Sequence, residues 1–166
     1  MTDCAADRHT PLSAAGPLEP YGVRVMLRPA SGEFEPQQFL STFLQDLAAA
    51  CVTSGASVIG HLKCLLHMPD HAIACNLTSL REGARCSVRS SPGAAPSAAP
   101  STAPSAALTP VALRPGQEAR LDLAVLVYGL PAETVDAIVR AALSRLLGSL
   151  DVSWSLLASE KRRETG

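Results

Sequence analysis

The stretch Val58-Ile-Gly-His-Leu-Lys-Cys-Leu-Leu-His-Met-Pro-Asp-His-Ala-Ile-Ala-Cys-Asn-Leu-Thr-Ser-Leu80 decides how the rest of the chain is read. It contains three of the 4 histidines, two of the 5 cysteines and one of the two lysines. Pro69 suits the second position of a tight turn over Met68-Pro69-Asp70-His71, because its ring pre-sets the backbone angle such a turn needs. A turn there pairs His67 with Ala72, Leu66 with Ile73, Cys64 with Cys75 and Leu62 with Leu77. Successive side chains on a strand point to opposite faces. One face is then apolar, with Leu62, Cys64, Leu66, Met68, Ile73, Cys75 and Leu77. The other receives His61, Lys63, Leu65, His67, Asn76 and Thr78. A slip of one residue would move every apolar group to the wet side, so burial holds the register.

Working outward, Gly22–Pro29 alternates in the same way: Val23, Val25 and Leu27 share one face, and Arg24, Met26 and Arg28 share the other. Ala119–Gly129 is the most apolar strand, with Leu121, Leu123, Val125 and Val127 against Asp122, Ala124, Leu126 and Tyr128. Its near-continuous hydrophobicity predicts a central position. Arg85–Arg89 reads as a short edge strand, and Asp151–Leu156 as a last strand. Between the strands, Phe39, Leu40, Phe43, Leu44, Leu47 and Cys51 recur at helical spacing after Pro36, with Gly55 as a left-handed stop. A second helix begins near Pro131 with the stripe Val135, Ile138, Val139, Ala142, Leu143, Leu146 and Leu147. Gly148 is expected to end it, and Leu150 to dock just beyond.

This order predicts an α+β fold: a two-layer sandwich, a ferredoxin-like variant (βαβ-β-β-[insert]-βαβ), with two helices on one face of a mainly antiparallel sheet. Residues 1–20 read as a flexible arm, 21–158 as one domain and 159–166 as a polar tail. Residues 90–110 are dominated by Ser, Pro, Ala and Gly. Such a segment cannot bury enough apolar surface to offset its ordering entropy, so it reads as a disordered insert. Two helices cover one sheet face only, which leaves the other face to solvent or to a partner.

With 47% hydrophobic but only 4% aromatic residues, the core must be built from aliphatic side chains. A net charge of -1 provides no global field to attract nucleic acid or an anionic membrane. No apolar run reaches the length of about 18 residues that a membrane span needs. No apolar leader stretch follows Met1, and the cysteines form no CxxC pair. The expectation is a cytoplasmic protein with free thiols.

The candidate chemistries are weighed by strand geometry. His61, Cys64, His67 and His71 spell H-x2-C-x2-H-x3-H, a spacing that suggests a metal. On a strand His61 and Cys64 point apart, and His61 and His67 lie roughly 20 Å apart at about 3.3 Å per residue. A zinc ion needs its ligands within about 2.3 Å of one point, so these four alone make no metal site. Cys64 and Cys75 face each other with Cβ atoms about 4.5–5.5 Å apart, at the margin of disulfide reach. They are read, with Cys51 and Cys86, as buried thiols acting as small apolar groups. No GxSxG, glycine-rich phosphate loop or HExxH is present, so no catalytic residue and no cofactor is assigned. A contact of Asp122 with His61 or His67 is possible on the open face. Arg24, Arg28, Lys63, His61 and His67 make that face locally basic, but only Tyr128 could stack a base, so nucleic acid is not the expected partner. Met26, Leu65, Leu126 and Tyr128 set apolar groups among the charges.

The face formed by Arg24, Met26, Arg28, His61, Lys63, Leu65, His67, Asn76, Thr78, Asp122 and Tyr128 is therefore the candidate surface. The reading is a non-enzymatic binding or assembly protein, engaging a protein partner or a second copy. The alternative is a small enzyme, or enzyme-accessory factor, that uses the His61/His67 face with an anionic or metal ligand.

Overall fold

Alternation of apolar and polar residues produces the sheet, and two apolar stripes at helical spacing produce the layer above it. The structure, a computed structural model, describes residues 18–90 and 111–157. The expected arm up to residue 17, most of the expected insert and the C-terminal tail lie outside the described residues. In chain order the elements are β1 (Leu18–Pro29), α1 (Pro36–Thr53), β2 (Val58–His67), β3 (His71–Leu77), β4 (Arg85–Ser90), β5 (Ala119–Tyr128), α2 (Ala132–Gly148) and β6 (Val152–Leu157). The strands form one sheet in the order β4-β3-β2-β5-β1-β6. Every pairing is antiparallel.

The hairpin register is the expected one: Leu62 opposes Leu77, Cys64 opposes Cys75, Leu66 opposes Ile73 and His67 opposes Ala72. The Met68 N–H donates to the His71 carbonyl at 2.8 Å and closes the Pro69-Asp70 loop. β5 lies between β1 and β2, with Leu121, Leu123, Val125 and Val127 all buried. These four, with Val25 and Leu27 of β1, Leu62, Cys64 and Leu66 of β2, and Ile73, Cys75 and Leu77 of β3, belong to a single core cluster with the helix stripes. α1 packs over β2, β3 and β4, and α2 over β1 and β6.

Local chemistry sets the helix ends. Pro36 occupies the first turn of α1, where its missing N–H costs nothing. At the other end the Gly55 N–H donates to the Val52 carbonyl at 3.0 Å and the Ala56 N–H to the Cys51 carbonyl at 2.9 Å. This reciprocal pair needs a left-handed residue between, and Gly55 has φ 104°. α2 has no side-chain cap of its own, but Glu19 of β1 accepts the Ala132 N–H at 2.9 Å. A carboxylate there satisfies an orphan donor and meets the positive end of the helix dipole. Tyr21 donates to Asp136 at 2.7 Å and Arg140 to the same carboxylate at 2.6 Å, which ties α2 to β1. The Arg140 hydrogen bond, with that of Tyr21, holds the Asp136 carboxyl below its usual range.

The α+β class holds, with two helices on one face of a six-stranded antiparallel sheet that β3 and β4 extend beyond β2. Several other expectations are corrected. Leu18–Pro20 belong to β1 and not to an arm, because the backbone of β5 continues to Tyr128 and offers them a ladder. α2 does end at Gly148, but the left-handed residue is Asp151, φ 54°. Leu150 remains 46% exposed; Val152, at the start of β6, is buried instead. Free thiols are not general either: Cys75 is bonded to Cys86. The two face each other across β3 and β4, in one row with Cys64 across β2, and Cys64 remains free and buried.

Burial pushes the Cys51 thiol up to about 11 and that of Cys64 up to about 12. A thiol held above its unfolded value of about 8.5 contributes stability that is complete below that pH and lost as pH rises through the folded value. Unfolding by denaturant should therefore show wild type losing stability between pH 8 and 11, and Cys64→Ala losing less. Peptide mapping without reductant should find Cys75 joined to Cys86. The bond joins residues 11 apart in sequence. Loop-closure entropy for so short a loop predicts that Cys86→Ser lowers the unfolding free energy by about 3 kcal/mol.

Candidate functional site

The face of the sheet away from the helices is legible as a grid, because every register is known. One row runs Arg85 (β4), Asn76 (β3), Lys63 (β2), Ala124 (β5) and Gly22 (β1). The next runs Ser87, Ala74, Leu65, Asp122, Arg24 and, on β6, Leu157. The third runs Arg89, Ala72, His67, Arg120, Met26 and Ser155. Arg28 lies beyond it opposite Ser153, and His61 lies opposite Leu126 on the far side. Tyr128 pairs with Val58. Thr78 is exposed one residue past the end of β3. Met26, Leu65, His67, Leu126 and Tyr128 are half-buried, whereas Arg24, Arg28, His61, Lys63 and Asn76 are exposed.

A bulge sets the upper part of this face. Pairing shifts between Ile59 and His61, so Gly60 is the extra residue. Ile59 is thereby turned to the core side and Val58 outward, opposite to what unbroken alternation from His61 implies. Only glycine fits there, since a Cβ on Gly60 would lie 2.9 Å from the Leu126 carbonyl oxygen.

At the centre of the grid Asp122 gathers two guanidinium groups and an imidazole. Arg24 Nε donates to Oδ1 at 2.6 Å, His67 Nε2 stands 3.3 Å from Oδ2, and Arg120 Nε stands 3.4 Å from Oδ2. Arg120 Nε is buried and makes no hydrogen bond. Asp122 keeps 32% of its side chain exposed, so the cluster is at the surface. A second pair, Arg28 Nε to Glu118 at 2.7 Å, lies at the edge. The His–Asp contact considered from sequence is thus made by His67, three rows from His61. Chemically, Asp122 can orient the His67 ring; their immediate row neighbours, Leu65, Arg24, Ala72 and Arg120, carry no hydroxyl or thiol.

The sheet separates the histidine–cysteine pattern. His61 and His67 lie on the open face, Cys64 in the core, and His71 on the helix side of β3 beside Asp70 and Glu35. Among the described residues no group of three or more His, Cys, Asp and Glu side chains is placed to hold a metal ion. No helix among them is long and apolar enough to cross a membrane.

Sequence reasoning missed Arg120, Arg85 and Arg89. Arg120 has the parity of Asp122 and could have been found by extending the alternation one step. Arg85 and Arg89 join the face only through the pairing of β4 with β3. No protein-family model matches the chain, no curated protein matches it, and no solved structure matches it.

Removing the hub carboxylate leaves the Arg24 and Arg120 guanidinium groups crowded without a counter-charge. Asp122→Asn should lower the unfolding free energy by about 1 kcal/mol in low salt, the upper end for exposed pairs. The loss should shrink in 1 M NaCl, where the Debye length is about 3 Å. Paired denaturation curves at the two salt concentrations provide the check.

Proposed function

We propose that this protein is a non-enzymatic binding protein that docks a protein partner through the uncovered face of its sheet. The observation that carries the reading is the asymmetry of the sheet. Both helices pack on the apolar side, while the opposite side keeps Met26, Leu65, Leu126 and Tyr128 half-buried among cationic side chains. Half-buried apolar groups, Met and Tyr among them, interspersed with arginines suit a protein interface. A second copy is the weaker occupant: two such faces brought together would set Arg24, Arg28, Lys63, Arg85, Arg89 and Arg120 against one another. The interleaving of β1-α1-β2 with β5-α2-β6, in which β5 lies between β1 and β2, supports reading the frame as a ferredoxin-like variant lengthened by β3 and β4.

The second reading, a small enzyme or enzyme-accessory factor, is favoured by the 3.3 Å approach of His67 to Asp122. A His67→Ala variant with unchanged anion binding, metal content and cellular phenotype would remove it.

A photo-cross-linking amino acid at Leu65 should yield one discrete protein adduct in cells, and the same group at Ser144 on α2 should yield none. Met26→Glu should abolish the adduct while leaving the circular dichroism spectrum unchanged. Absence of any adduct from Leu65, with a strict monomer by light scattering at high concentration, sinks the reading.

A further inference from the structure

The open face is not uniform. Its β5–β2–β3–β4 half forms a trough of about 710 Å³ lined by Lys63, Leu65, Ala74, Arg85, Arg89 and Ala124 among others. The register explains its shape. Ala74 and Ala124 stand beside Leu65 and Lys63 in adjacent strands, and side chains this short leave a depression between longer neighbours.

Most of the positive charge in this trough is uncompensated. Asp122, the acidic residue on its wall, is already engaged by Arg24, His67 and Arg120. Arg85 shares one exposed pair with Glu82 at 3.0 Å. Lys63 and Arg89 have no ion pair or hydrogen bond among the described residues. The chain as a whole carries -1, so this local excess of positive charge is a feature of placement and not of composition.

We infer that the trough receives a short, extended, acidic segment of a protein partner, with its carboxylates on Lys63, Arg85 and Arg89. This rests on the docking reading above and specifies the partner's chemistry. Spacing supports it. Arg85 and Arg89 are four residues apart on one strand, roughly 13 Å at about 3.3 Å per residue, and Lys63 lies two strands from Arg85, roughly 9.6 Å. Carboxylates at alternate positions of an extended segment fall at about 7 Å intervals, so positions i and i+4 match the Arg85–Arg89 distance, with Lys63 flanking that line from two strands away. The alanines let a backbone approach closely, and guanidinium groups bind carboxylates in a paired fork. Nucleic acid would present phosphates of the right sign, but among the described residues none lining the trough is aromatic, so a base has nothing to stack on. A second copy would bring cations onto cations.

The test is fluorescence anisotropy with a labelled decapeptide of alternating Glu and Ser, run on the full chain. Binding is expected to weaken with salt, to fall about tenfold in Lys63→Glu or Arg89→Glu, and to be unchanged in Arg114→Glu, whose side chain lies away from the trough. Circular dichroism controls for folding of each variant. An alternating Lys and Ser peptide should not bind. No binding of the acidic peptide, or equal binding by Arg89→Glu, overturns the inference. So does tighter binding of a ten-nucleotide uridine strand, which would identify a nucleic-acid groove. The two readings fail separately: a Leu65 cross-link that survives in Lys63→Glu/Arg89→Glu leaves docking standing and removes the acidic segment, whereas loss of the Leu65 adduct from wild type removes both.

Discussion

The fold depends on β5 being held between β1 and β2. Its side chains alternate between Leu121, Leu123, Val125 and Val127, which are buried, and Arg120, Asp122, Ala124, Leu126 and Tyr128, which are not. Displacing β5 by one residue would drive Asp122 into the aliphatic core and expose four large apolar groups, so both ladders that flank it are locked by the same constraint. Its neighbours are distant in sequence: the Arg24–Asp122 bond joins residues 98 apart. The closure entropy of such long loops must be offset by burial along the whole strand, which is why β5 is nearly continuous in hydrophobicity.

The helices and the outer strands are secondary to this frame. α1 is anchored by Phe34, Phe39 and Phe43: the Phe39 ring stacks on Phe43 with centroids 5.7 Å apart and meets Phe34 at a tilt, 5.3 Å away. α2 is positioned from β1, through Glu19 at its N-terminus and Tyr21 on Asp136. β3 is secured by its hairpin to β2, and β4 by the Cys75–Cys86 bond. Because both helices lie on the apolar side, most charged groups on the strands are collected on the other, with Glu19 at the start of α2 the exception. The Asp122 hub and the trough beside it are products of that sorting.

The parts legible in sequence were those governed by nearest neighbours. Pro69 and the apolar pairs around it specified the β2–β3 register, and the α1 stripe together with Gly55 specified the helix and its stop. The misses share a different cause. Cys64 and Cys75 do oppose each other, but Cys75 also opposes Cys86, and which cysteine it bonds depends on the strand that settles on its other side. Alternation does not reveal the Gly60 bulge, since its consequence is the close approach of the Leu126 carbonyl. Leu150 looked apolar enough to dock, yet the chain must turn at Asp151 and Val152 takes the buried place.

By itself the sequence determined which residues form strands and helices, which face of each is buried, and that His61, Lys63 and His67 share a face from which Cys64 is excluded. These follow from a period of 2 or 3.6 and from the cost of burying charge. Only the tertiary structure decided that His67 and not His61 meets Asp122, that Arg120 and Arg24 join them, and that Arg85 and Arg89 complete a trough with Lys63. Those are meetings between strands far apart in the chain. They are set by strand order, which arises from the collective packing of the core and is written in no local run of residues.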